Sequence, residues 1–146
     1  MKKQAVLFLC TGNSARSVMA EALLRKHAGD TFDVYSAGTE PKGVNPLTVK
    51  ALSEIGISTG QLSSNHVNEY LGRVPLDYMI VVCADADQKC PAISVESVKR
   101  LVWPFDDPAA ARGTEQERLD IFRRVRDQID QKIRNWLAEH GAPTAQ

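Results

Sequence analysis

The feature that most constrains this chain is its opening. Gln4 to Leu9 is a short, almost unbroken apolar run that ends abruptly at the polar, glycine-containing stretch Cys10-Thr11-Gly12-Asn13-Ser14. Such a run suits a strand buried on both faces, which implies a parallel sheet covered on both sides. From Arg16 to about His27 the apolar positions Met19, Ala22 and Leu23 recur at helical spacing, with Gly29 as a stop. The unit is therefore strand, loop, helix. The pattern repeats downstream: a strand at Asp33–Ala37 ended by Gly38, and a helix capped by Asn45, begun by Pro46 and closing near Gly56. Strands follow at Tyr78–Cys83 and Arg100–Trp103, then a long helix at Thr114–Glu139. Its buried stripe is expected to be Leu119, Phe122, Val125, Ile129, Ile133 and Trp136. The expected architecture is a single-domain, three-layer α/β fold over residues 1–140, a four-stranded parallel sheet with helices on both faces, with 141–146 as a frayed tail. Ligands of such sheets bind beyond the carboxyl ends of strands, where Cys10 and Cys83 both fall.

Composition excludes several classes of function. Lys plus Arg and Asp plus Glu are 18 each, so no broad basic face for nucleic acid is expected. At 43% hydrophobic and 25% charged residues the chain can build a core. Its longest apolar run, Tyr78 to Ala84, is far short of a membrane span, and the first residues lack a cleavable leader, so a cytoplasmic protein with no membrane association is expected. Three cysteines, an odd count, argue against a disulfide framework and for thiol chemistry or burial. His27, His66 and His140 show no metal-ligand spacing, so no metal is expected and all three are placed at the surface.

The first loop carries the chemistry. A turn between a buried strand and a helix N-terminus aims successive N–H groups inward, a nest for a tetrahedral oxyanion built from Thr11, Gly12, Asn13, Ser14, Ala15, Arg16 and Ser17. Arg16 adds a planar fork for two oxyanion oxygens. The same field favours the thiolate of Cys10, a nucleophile at neutral pH, with Ser14 and Ser17 available as hydrogen-bond donors to the sulfur. Gly12 and Asn13 are the residue types that best tolerate left-handed backbone.

These residues, with Tyr35-Ser36-Ala37-Gly38, Val82-Cys83-Ala84-Asp85-Ala86-Asp87, Lys89-Cys90-Pro91 and Trp103-Pro104-Phe105-Asp106-Asp107-Pro108, resemble the low-molecular-weight protein tyrosine phosphatase superfamily. Within it, the sequence is most similar to the thioredoxin-coupled arsenate reductases. The resemblance implies that Cys10 attacks arsenate, Cys83 attacks Cys10 with release of arsenite, and Cys90 attacks Cys83. Thioredoxin would reduce the resulting Cys83–Cys90 disulfide, with no bound cofactor. It also implies that Asp107, directly before the proline, is the general acid, leaving Asp106 solvated. A helical Cys83–Cys90 spacer would hold the two Cα atoms about 10.5 Å apart, beyond the roughly 7 Å limit for a disulfide, so the bond would require the spacer to unwind. Some relatives bind potassium through a loop asparagine, a strand serine and an acidic residue. The matching positions are Asn13, Ser36 and Asn65, and the missing carboxylate predicts weak potassium dependence. Position 15, a cysteine in many relatives, is Ala15. The expected partners are arsenate and thioredoxin, and the expected state is a monomer. Two other readings stand beside this one: a phosphatase needing only Cys10, Arg16 and Asp107, and a non-enzymatic oxyanion or redox sensor.

Overall fold

The computed structural model describes residues 3–83 and 95–140. Cys90, the Ala84–Lys89 spacer and the tail 141–146 lie outside the described residues. Four strands, β1 (Gln4–Cys10), β2 (Phe32–Gly38), β3 (Tyr78–Val81) and β4 (Lys99–Val102), form one parallel sheet in the order β2-β1-β3-β4. Central β1 is buried along both faces from Ala5 to Cys10, which is why it reads as a continuous apolar run rather than an alternating one. Helices α1 (Arg16–Ala28), α2 (Pro46–Ser53) and α3 (Glu115–Glu139) pack against one another, and a short 3-10 turn at Val67–Glu69 packs against β2. Among the described residues, no helix is long and apolar enough to cross a membrane.

The helix ends follow local chemistry. Asn45 caps α2 by accepting from the Leu47 N–H at 2.9 Å. Thr114 and Glu117 form a reciprocal capping box at α3. The helix α2 ends at Ser53, and the left-handed Gly56 (φ +83°) reverses the chain behind it. All six residues of the expected α3 stripe are buried. Strand β3 stops at Val81 rather than Cys83. Val82 still donates to the Leu9 carbonyl, but Cys83 falls outside the ladder.

A charged clamp ties α2 to α3. Arg126, only 8% exposed, donates to the Ala51 carbonyl and to Glu54, whose carboxylate is also gripped by Arg123. Hydrogen bonding from Arg123, opposed by desolvation and reinforced by Arg126, holds the Glu54 carboxyl below its ordinary value of 4.5. A carboxyl favoured in its ionised form in the fold contributes stability above its unfolded value, and that contribution disappears as the pH falls through the lowered one. Glu54→Gln is therefore expected to cost about 1 kcal/mol in denaturant melts at neutral pH. The difference from the parent protein should shrink toward zero in acid, below 4.5.

Candidate active site

The loop 10–16 is shaped from outside. The N–H groups of Glu40 and Lys42 donate to the carbonyls of Thr11 and Gly12, each at 2.9 Å, while Asn45 N–H and Thr48 Oγ1 both donate to the Ser14 carbonyl. With its carbonyls turned toward this strap, the loop presents its N–H groups to the opposite side. The helix α1 begins at Arg16, directly after the loop, and has no side-chain N-cap at Ala15, so no side chain covers its first N–H groups. Asn13 takes the left-handed conformation (φ 44°) that curls the loop. Gly12, expected to share it, does not: one left-handed residue suffices for the reversal, and Gly12 lies beneath the side chain of Lys42.

Donors converge on the Cys10 sulfur. The Asn13 N–H reaches it at 3.2 Å, and Ser17 Oγ lies 2.8 Å away. The direction of the second bond follows from its neighbours. Asn65 N–H donates to Asn13 Oδ1 at 2.6 Å, which fixes the amide so that Asn13 Nδ2 donates to Ser17 Oγ at 2.8 Å and to Ser36 Oγ at 3.0 Å. Ser17 accepts that hydrogen and is left to donate its own to the sulfur. Ser36 in turn donates to Glu21 Oε1 at 2.5 Å. Ser14, the other expected sulfur donor, contributes its backbone carbonyl to the strap instead.

Arg16 is 6% exposed and donates from Nη1 to the Phe105 carbonyl at 3.0 Å, which anchors the guanidinium. Its Nη2 lies 3.7 Å from Asp107 Oδ2. The other oxygen, Asp107 Oδ1, accepts from the Ala109 N–H, capping the 3-10 turn Pro108–Ala110. One carboxylate oxygen is thus fixed by the turn and the other is left toward Arg16, while Asp106 is exposed as expected. Cys10 and Cys83 are both buried, Cys10 at the carboxyl end of β1 and Cys83 just past that of the adjacent β3. Cys10, Arg16, Ser17 and Asp107 are brought together around the loop, while Cys90 lies outside the described residues.

Three features of this constellation were not legible in the sequence. Glu21 brings a carboxylate to Ser36 from α1, and no motif or spacing ties that position to Asn13, Ser36 and Asn65. The Phe105 carbonyl that holds Arg16 is a backbone group and leaves no mark in residue identity. Gly38 is where β2 passes directly under the loop: a Cβ there would stand 2.3 Å from the Thr11 carbonyl oxygen. As for potassium, the oxygens of Asn13 and Ser36 are engaged in hydrogen bonds to Asn65 and Glu21, and an amide donor points into the cluster. These residues are satisfied by one another.

The family model for low molecular weight phosphotyrosine protein phosphatases matches residues 5–142. The chain belongs to this family. It is 46% identical over 141 residues to an arsenate reductase of Halalkalibacterium halodurans, covering 97% of this chain and 99% of that one. It is 44% identical over 142 residues to the arsenate reductase of Bacillus subtilis, covering 97% and 99%. Among solved structures, an arsenate reductase in the phosphate-binding state superposes with a TM-score of 0.75 at 26% identity, over 93% of this chain and 98% of that one. The thioredoxin-dependent arsenate reductase of Corynebacterium glutamicum gives 0.69 at 28% identity, over 94% of this chain and 61% of that one.

Proposed function

We propose that this protein reduces arsenate to arsenite by a three-cysteine relay whose disulfide is re-reduced by thioredoxin. One observation carries the reading: a second buried thiol beside the nucleophile. Leu9 pairs with Val81 across β1 and β3 and the Val82 N–H donates to the Leu9 carbonyl, so Cys83 follows directly on the segment beside Cys10; for ideal strands about 4.8 Å apart with about 3.3 Å rise per residue, that offset corresponds to a Cα separation of about 6 Å. That is inside the range a disulfide spans. Hydrolysis of a phosphate ester uses one sulfur, whereas taking As(V) to As(III) takes two electrons and hence two.

In this mechanism the Cys10 thiolate, held by Ser17 and the Asn13 N–H, displaces one arsenate oxygen to form an S–As(V) bond. Asp107 supplies the proton with which that oxygen leaves as water, and Arg16 and the loop N–H groups hold the remaining oxygens. The Cys83 thiolate then attacks the Cys10 sulfur. The S–As bond breaks, its electron pair stays on arsenic, arsenite departs, and a Cys10–Cys83 disulfide remains. Attack of Cys90 on Cys83 frees Cys10 as thiolate, and thioredoxin reduces the Cys83–Cys90 disulfide by thiol–disulfide exchange.

A phosphatase of the same fold would use Cys10, Arg16 and Asp107 alone. Against a preference for aryl phosphates, the turn beside the acid is Pro108-Ala109-Ala110, with no aromatic wall. The deciding measurement is arsenite production with thioredoxin, thioredoxin reductase and NADPH, set beside hydrolysis of an aryl phosphate. Many turnovers of arsenate with slow ester hydrolysis are expected. Rapid hydrolysis without arsenite would make the protein a phosphatase, and a single turnover would make it a sensor.

A further inference from the structure

We infer that Arg25 is a positioning residue for the Cys10 nucleophile, a resident guanidinium that gives the polar cluster behind the loop the counter-charge some relatives take from potassium. The inference rests on Cys10 as the nucleophile, the reading given above. Its starting point is Glu21. Through Oε1 this carboxylate accepts from Ser36 Oγ at 2.5 Å, and through Oε2 it meets Arg25 Nη1 at 2.9 Å. The pair lies one turn apart on α1 with the acid N-terminal to the base, the favoured order for a helical ion pair. The same guanidinium donates from Nη2 to the Val34 carbonyl at 2.6 Å, so Arg25 is a fork between α1 and β2. From Glu21 the hydrogen bonds run unbroken through Ser36, Asn13 and Ser17 to the Cys10 sulfur.

The polarity of that chain is set at its far end. An ionised carboxylate only accepts, so Ser36 commits its hydrogen to Glu21 and offers Asn13 Nδ2 nothing but lone pairs. Asn13 Nδ2 then donates to Ser36 and to Ser17, and Ser17 is left to donate to the sulfur. Every member between Glu21 and the sulfur is neutral. Asn65, at the position matched to an acid in potassium-binding relatives, brings an amide whose Oδ1 already accepts from Ser63 Oγ at 3.1 Å. The Glu21 side chain is only 13% exposed, so water screens its charge poorly. Among the described residues, Arg25 is the cation within ion-pair distance of it. The other groups at this edge add no positive charge. The Glu69 carboxylate accepts the His66 N–H at 2.8 Å. The Tyr70 hydroxyl is held above its ordinary value of 10.0 by burial first, then by Glu21, Glu69 and Tyr35, with Arg25 opposing. Removing Arg25 therefore leaves Glu21 uncompensated beside a second carboxylate, and frees the Val34 carbonyl that held the fork.

The Arg25 side chain is 47% exposed, so Arg25→Ala should fold. The test reads the rate at which iodoacetate alkylates Cys10 in the reduced full-length protein, mapped by mass, with inorganic phosphate binding and arsenate turnover measured in parallel. In choline chloride at about 0.1 M ionic strength, Arg25→Ala should slow Cys10 alkylation and arsenate kcat about three- to tenfold, with phosphate affinity and arsenate KM within about twofold of the parent. Exchanging choline for potassium or for guanidinium at the same ionic strength should restore the variant and leave the parent protein unchanged. Arg25→Lys, which keeps the charge, should match the parent, as should Lys26→Ala, the same charge change on the neighbouring exposed residue. A parent-like rate in Arg25→Ala, a loss that neither cation restores, a potassium-dependent parent, or an equal loss in Arg25→Lys or Lys26→Ala would overturn the inference. If alkylation responds as described but the parent protein makes no arsenite, the positioning role stands and the reductase reading fails.

Discussion

Gly38→Ala is expected to lower turnover about 100-fold or more and to abolish measurable phosphate binding. A Cβ at this position would lie 2.3 Å from the Thr11 oxygen, and 2.9 Å from both the Thr11 carbonyl carbon and the Asn13 nitrogen. All three are backbone atoms of the oxyanion loop, so no side chain can swing aside to relieve the contact. The strand cannot retreat either: Gly38 is paired with Cys10 in the ladder, and its N–H donates to the Asn65 carbonyl at 2.9 Å. The loop must therefore move, and with it the Asn13 N–H on the sulfur. Gly60→Ala is the control. Nothing lies within 4 Å of a Cβ there and its backbone is not left-handed, so activity should match the parent. Overpacking at Gly38 should also cost about 1–3 kcal/mol in a denaturant melt. Unchanged phosphate affinity in Gly38→Ala would mean that the loop is not seated on β2 as described.

The contrast between Gly38 and Cys10 shows what a sequence carries. The nucleophile, its arginine and the strand and helix around them are contiguous, so burial on both faces and the 3.6-residue period expose them directly. The α3 stripe was legible for the same reason. The support behind the nucleophile is assembled from Asn13, Ser36 and Asn65 with Glu21, which come from a loop, a strand, a crossover and a helix. No local period links those positions, and residues 57–77 carry no periodic signal at all. His27 illustrates the same limit. Expected at the surface, it is buried at 7% exposure because α3 packs across α1 and Asp130 meets its Nε2 at 2.6 Å. A histidine at a helix end looks solvated until the helix that covers it is known.

Cys83→Ser and Cys90→Ser are each expected to abolish steady-state arsenate reduction, a loss on the order of 1000-fold or more, while leaving aryl phosphate hydrolysis close to the parent rate. The asymmetry follows from electron count. Ester hydrolysis returns the Cys10 thiolate once water cleaves the adduct, so it has no use for a second sulfur. Arsenate reduction leaves two sulfurs oxidised per turnover. Without Cys83 the Cys10 adduct has no neighbouring thiolate to release arsenite, and Cys10 should stay trapped or give up arsenate unchanged. Without Cys90 the relay should stop at a Cys10–Cys83 disulfide after one arsenite per protein, visible as loss of both thiols in a mass-mapped digest. Cys83 is 1% exposed, so its serine variant also buries a hydroxyl, and a modest drop in melting temperature is expected with it. Retained ester hydrolysis guards against that complication, because it reports an intact loop. Full multiple turnover in either variant would remove the relay and leave Cys10, Arg16 and Asp107 as a phosphatase site.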